Sequence, residues 1–523
     1  MNRPAAGAAT TPHPMATEAA CRVLADGGTA AEALVAAGSV LAVVYPHMGG
    51  LGGDAVWMLV DADGETTVIS GIGQSAADIP QGPVPLRGPG STLTAAASVD
   101  AWEQAFTHSL ERWGGSMDWA ALLAPAIAHA REGTPVSASQ HYWHGQRREI
   151  LRDQPGFAAV FEPGGRVPEA GTRLAQPQLA RTLEILAQQG ASSFREGELA
   201  RRLADGLAQA GSPLRATDLA ACRARVEQPL VLRYREGELL APPPPSQGAA
   251  LLQIMGLFER VTDGPAPPER AANFHLLAAC VAQALAERDT RLGDPTTWDT
   301  PEAMAASMLD GPWLDTLAAT IGGHAADASP SAMPQADTVW LAAADHHGHA
   351  ACLSQSLYFD FGSGVVAGDT GVLWHNRGAA FSAEAASPNA LAPGRRPLHT
   401  LAPAAFRRKG RLALLAGTQG GNGQAQTVAQ LLWRVLDLDQ PPAYALSRPR
   451  FLLGPGFEDT RATLKLEADF GEALIGELAR RGHPVETVAP RHRMMGEAGL
   501  LQITGAGPRA AHDPRGCGTA APA

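Results

Sequence analysis

The sequence predicts an α+β protein in which helices pack on antiparallel sheet. Two stretches carry that prediction. Near the N-terminus two helical patterns run into a glycine-dense turn and then a hairpin, and much later Thr338 to Gly364 reads as two strands joined by a tight turn.

Taken in order, Pro14 to Asp26 is an amphipathic helix with Pro in its first turn and Gly27-Gly28 behind it. Ala30 to Val44 is small and apolar almost throughout, the pattern of a buried helix. The glycine-dense Tyr45 to Asp54 leads into a strand from Ala55 to Asp61, a turn at Ala62-Asp63-Gly64 and a partner strand from Thr66 to Ile69. From Ser98 to about Ala286 the chain reads largely as helix, clearest over Trp119–Ala130, Leu179–Gln189, Leu199–Ala210 and Phe274–Arg288. Ala241 to Gly248, with its run of prolines, reads as a stiff, extended exit from a strand. Arg411 to Ala416 is strand-like, Gly417 to Gly423 is a glycine run that allows close backbone approach, and Thr427 to Leu436 is a helix behind it. The alanine-rich tail from Gly505 is expected to be disordered.

The stretch at Thr338 asks for more. Val339 to Ala344 is apolar without alternation, which predicts a strand covered on both faces, and Gly348 supplies the positive φ of the turn that follows. Before it, Gly322 to Asp337 is polar, rich in Ala, Ser, Pro and Asp, and without helical period. A structureless loop of that length is uncommon inside a compact domain. One that feeds straight into a buried strand at a threonine predicts a chain cut there. Scission before Thr338 would free an α-amino group of pKa roughly 7.7–8.0 beside its own hydroxyl, a base matched to neutral pH.

Composition narrows the alternatives. The chain of 523 residues is 45% hydrophobic and 18% charged, as folded soluble proteins are, and its formal charge of -11 argues against nucleic acid or an anionic membrane as partner. The five cysteines stand singly with no CxxC spacing, so neither a zinc knuckle nor a disulfide framework is expected. No apolar leader core and no membrane-length apolar run is found, and a cytoplasmic protein with reduced thiols is the expectation. Gly71-Ile72-Gly73-Gln74-Ser75-Ala76 fits a dinucleotide fingerprint in spacing only, because Pro80 and Pro83 stop a helix from starting behind it. No GxSxG elbow is present. His346, His347 and His349 crowd one turn and read as solvated rather than metal-binding, and His141 and His144 lack the acid of HExxH. The tryptophans at 57, 102, 113, 119, 340 and 374 read as core.

The segments also share the order of a known family. His13-Pro14-Met15-Ala16, Val44 to His47 with Gly50 to Gly53, and Pro125-Ala126-Ile127 begin the series. Pro243 to Gly248, Arg288-Asp289 before Gly293-Asp294-Pro295, Thr338 to Gly364, Pro393 to Leu398, Gly420-Gly421 and Ala445 to Phe451 continue it. In that order they resemble the gamma-glutamyltransferase family of N-terminal-nucleophile hydrolases. The resemblance implies a four-layer αββα sandwich made from one autoprocessed precursor, with no cofactor. It implies cleavage between Asp337 and Thr338, giving fragments 1–337 and 338–523, two such heterodimers being able to pair. Thr338 would be the nucleophile, Ser356 the hydroxyl supporting it, and Gly420 and Gly421 the oxyanion hole.

The departures from the family bear on substrate. Glutamyl-transferring members hold the substrate α-carboxylate with an Arg where this chain has Ser70 to Gln74, and bind its α-amino group with an acid that falls near Ala380 here. Their paired serines are replaced by His399-Thr400. Asn376 is kept, but Arg377 follows it, and a guanidinium suits a carboxylate bidentately. Asn376, Arg377, His399, Thr400 and Tyr358 are therefore the expected substrate contacts. The pattern is similar to the oxamate amidohydrolase branch, which shares Thr-Val-Trp, Ser-Gln-Ser, Asn-Arg-Gly and His-Thr-Leu. The expected substrate is a small acid amide without an α-amino group. Glutathione hydrolysis or γ-glutamyl transfer, and a processed but inactive binding scaffold, are the competing readings.

Overall fold

A computed structural model of the chain describes residues 7–322, 337–456 and 461–523. Of the polar segment expected to precede the cut, residues 323–336 therefore lie outside the described residues, whereas Asp337 and Thr338 are described. Among those described, two antiparallel sheets face each other. The first runs, edge to edge, Thr519–Pro522, Ala8–Thr11, Asp337–Ala344, Ala350–Tyr358, Asp54–Val60, Thr66–Gly71 and Arg225–Glu227. The second runs Gly507–His512, Ala498–Thr504, Arg411–Thr418, Ala404–Arg408, Gly237–Ala241 and Leu230–Tyr234. Each sheet draws strands from both sides of position 337, so the two expected fragments would be interleaved.

Three apolar layers hold this arrangement together. One joins the first sheet to the helices around Ala30–Val44, one joins the second sheet to the helices Gly248–Val261, Ala271–Arg291 and Gln424–Leu432, and a third lies between the sheets. Helix, sheet, sheet, helix is the four-layer sandwich the resemblance implies. The helix Ala30–Val44 is buried at every position and opens on a capping box, Thr29 taking the Glu32 backbone N–H while the Glu32 carboxylate takes that of Thr29. Along Asp337–Ala344, Val339, Leu341 and Ala343 face the helices, whereas Trp340, Ala342 and Ala344 enter the layer between the sheets. Thr338 has the parity of Trp340. Ser356 has that of Cys352, and Asp54 that of Val56, so all three belong to one end of the inter-sheet layer.

Two expectations need correction. The tail from Gly505 is ordered: Gly507–His512 pairs with Ala498–Thr504, and Thr519–Pro522 pairs with Ala8–Thr11. Its small residues are what an edge strand packed under helix Pro14–Ala25 can use. The helical reach from Ser98 to Ala286 is interrupted by the hairpin Leu230–Ala241 and the edge strand Arg225–Glu227. Strands this short draw their stability from neighbours rather than from their own pattern. Among the described residues no helix is long and apolar enough to cross a membrane.

Candidate active site

The site grows from a break in strand register. Ser356 lies opposite Asp54, but between Gln355 and Tyr358 the register shifts, and Tyr358 comes to face Asp337. The shift lets the Ser356 hydroxyl donate to the Asp337 carbonyl oxygen at 2.7 Å while it accepts from the Tyr358 N–H at 2.8 Å. That carbonyl belongs to the Asp337–Thr338 peptide. Thr338 itself is completely buried.

The second sheet supplies the opposite wall. Gly417 and Gly499 are cross-strand neighbours, and a Cβ on either would lie 2.1 or 2.3 Å from the Trp340 ring. Only glycine admits the indole there, which fixes the sheet spacing two residues from Thr338. Beyond Thr418 the chain turns through Gly420 and Gly421, whose φ values of 112° and 51° favour glycine, into the helix beginning at Gln424. The Gln424 carboxamide accepts from the Ala402 N–H at 3.2 Å, which leaves its NH2 to donate to the Thr338 hydroxyl oxygen at 3.0 Å.

Arg377 occupies the far side, in a short turn from Arg377 to Ala380. It is fully buried, sits over the Tyr358 ring with 3.8 Å from guanidinium carbon to centroid, and donates through Nη2 to Thr400 Oγ1 at 3.0 Å. Nε and Nη1 have no hydrogen-bond partner among the described residues. Burial pushes its pKa down to about 10, with Tyr358 and Asp54 pulling the other way, so it remains a cation at neutral pH. His399 Nε2 lies 3.1 Å from Asp54 Oδ2, and burial together with Arg377 lowers the imidazole pKa to about 4. Burial opposes charge on Asp54, but His375 and His399 outweigh it and hold the carboxyl below the ordinary range.

The remaining residues tie these walls together. Gln247 donates to Thr400 O at 2.7 Å and to Gly421 O at 3.1 Å, and takes a bond from Arg288 at 2.8 Å. Asn376 donates to Leu86 O at 2.6 Å and accepts from Phe359 N at 3.1 Å, so both ends of its amide serve backbone. Of the residues singled out in the sequence, Thr338, Ser356, Tyr358, Arg377, His399, Thr400, Gly420 and Gly421 converge here. Gln424 and Asp54 were given no role. A glutamine opening a helix and an aspartate after glycines look like ordinary local choices, and only the burial of both marks them. Elsewhere, His144 pairs with Glu162 at 3.0 Å, and His349 stacks on Trp113 with ring centroids 4.7 Å apart. Among the described residues no group of three or more His, Cys, Asp or Glu is placed to hold a metal ion.

Comparison with known proteins agrees with this architecture. A relative from Klebsiella pneumoniae, described as an oxamate amidohydrolase proenzyme, is 40% identical over 522 residues, 98% of each chain. A glutathione hydrolase-like YwrD proenzyme from Bacillus subtilis is 35% identical over 98% of this chain and 97% of its own. Among solved structures, the cephalosporin acylase from Bacillus halodurans superposes with a TM-score of 0.91 at 26% identity, covering 100% of this chain and 97% of that one. The family model described as gamma-glutamyltranspeptidase matches residues 16–523, and the chain belongs to that family.

Proposed function

We propose that this chain is a precursor that cuts itself between Asp337 and Thr338 and then hydrolyses the amide of a small, carboxylate-bearing substrate of the oxamate type. The observation that carries the reading is the pair of donors on the Asp337–Thr338 unit, Ser356 on the carbonyl oxygen and Gln424 on the hydroxyl oxygen. In the first step Thr338 Oγ adds to the Asp337 carbonyl carbon, the C–N bond breaks, and an ester with a free amine results. Water then hydrolyses the ester, leaving a carboxylate on Asp337 and the amine on Thr338.

In turnover that amine takes the hydroxyl proton as Oγ adds to the substrate amide carbon. The oxyanion would be met by the Gly420 and Gly421 amides, a role in which one lost donor costs about 10²–10³ in rate. Ammonia leaves with the proton returned by the ammonium, and water resolves the acyl ester. Arg377 supports the choice of substrate. A buried cation with two nitrogens unpaired is costly unless an anion joins it, and a carboxylate adjacent to the amide is short enough to do so. Supplying oxamate and γ-glutamyl-p-nitroanilide in parallel tests this: ammonia from oxamate with little p-nitroaniline is expected. The reverse would favour the γ-glutamyl reading, to which the Bacillus subtilis relative lends weight. The mass spectrum of the purified protein should give fragments ending at 337 and beginning at 338.

A further inference from the structure

Asp54 is a buried carboxylate that, among the described residues, forms no ion pair with an arginine or lysine, although its charge favours that of Arg377. Its partners are the Gly73 N–H at 2.9 Å on Oδ1, and on Oδ2 the His399 Nε2 at 3.1 Å with the His375 Nδ1 at 3.5 Å. His375 is occupied on its other side, its Nε2 lying 2.9 Å from Thr94 O. The opposite nitrogen of His399, Nδ1, faces two groups that can only donate, the Leu401 N–H at 3.3 Å and Arg377 Nη2 at 3.5 Å. Nδ1 must therefore carry the lone pair, and the proton sits on Nε2, toward Asp54.

We propose that Asp54 is a positioning residue for Arg377: by fixing the tautomer of His399 it keeps an acceptor facing Nη2, so that Nε and Nη1 stay turned to the substrate and the enzyme prefers an amide bearing a carboxylate. The proposal rests on Arg377 being the carboxylate clamp. Asp54→Asn has nearly the same volume, and Gly73 fixes which way its amide turns, because the Gly73 N–H needs the oxygen. The NH2 then faces His399 Nε2, which has to accept, and the proton moves to Nδ1, against the Leu401 and Arg377 donors. Nη2 loses an anchor and keeps only Thr400.

The test uses the self-cleaved enzyme with oxamate and its neutral counterpart oxamide, comparing kcat/KM for the two. The wild type should favour oxamate, and Asp54→Asn should reduce that ratio by about 10- to 100-fold, the scale of one hydrogen bond to a charged group, mainly through KM for oxamate. His399→Asn, whose side-chain oxygen can replace Nδ1 as acceptor, should keep more of the ratio than His399→Leu. Adding Asp54→Asn to His399→Asn should then lower the ratio little further. The proposal is overturned if Asp54→Asn lowers both substrates equally, if it leaves the ratio unchanged, or if its effect persists in full on the His399→Asn background. A wild type indifferent to the substrate carboxylate would remove the Arg377 reading and the proposal with it, whereas a selective wild type with an unaltered Asp54→Asn ratio would remove the proposal alone.

Discussion

The two ends of the hairpin from Asp337 to Tyr358 each bury an aspartate, and the two are treated in opposite ways. At the turn, Asp345 accepts from the His347 N–H at 2.9 Å and the His349 N–H at 3.0 Å, and its second oxygen takes the Ala30 N–H and the His349 ring, both at 3.1 Å. At the open end, Asp337 is just as deeply enclosed, yet its Oδ2 has no hydrogen bond among the described residues. Burial, with Asp360 nearby, raises that carboxyl to about 8. A satisfied carboxylate organises a turn and the start of a helix. An unsatisfied one is tolerable only as a neutral acid. One hairpin thus uses its turn for folding and holds a protonated acid beside the peptide where self-cleavage is proposed.

The comparison breaks most completely at the open end with Thr338→Ala, which should abolish both the cut and the turnover, leaving a single full-length band on a denaturing gel. Ser356→Ala should slow the cut by about 10²–10³-fold, the scale of one donor removed from a developing oxyanion, in a time course of precursor loss. A rate equal to wild type would show that the 2.7 Å contact to Asp337 O is only architectural.

The acid itself gives a pH signature in the uncut Thr338→Ala chain. With its pKa raised from 3.8 to about 8, Asp337 keeps a proton in the folded state that the unfolded chain releases. Its contribution to stability is therefore full below the unfolded pKa and is lost as pH rises toward about 8. Melting should show the Thr338→Ala chain losing stability between pH 5 and pH 8, with a smaller loss once Asp337→Asn is added. Equal losses would mean that Asp337 is ionised in the fold. The smallest effect belongs to the turn. Asp345→Asn should cost about 1–3 kcal/mol in urea unfolding, through bonds left unmade, with the rate of self-cleavage unchanged.

Much of this molecule is readable from local pattern. The helix Ala30–Val44 was expected with the bounds it has, because its cap, its small apolar run and the glycine turn behind it are all nearby in sequence. The Asp337–Tyr358 hairpin was legible for the same reason. Misreadings fall where the evidence is distant. Nothing within Thr519–Pro522 announces that Ala8–Thr11 will pair with it from the other end of the chain. Leu230–Ala241 looked like part of a helical stretch because its strands depend on Ala404–Arg408. At the site, family order pointed to Thr338 and Arg377, but no spacing links Gln424 to the former or Asp54 to the latter.

The sequence by itself determined the helix Ala30–Val44 and the hairpin turning at Gly348, since periodicity, caps and turn residues act over a few positions. Only the tertiary structure decided that Asp54, Ser356 and Thr338 share one end of the inter-sheet layer, that Gln424 reaches Thr338, and that Arg377 meets Tyr358 and Thr400. Those juxtapositions follow from strand register and from how closely two sheets approach over Gly417 and Gly499. Both quantities are set by partners distant in sequence, Ser356 for Asp54 and Trp340 for Gly417 and Gly499.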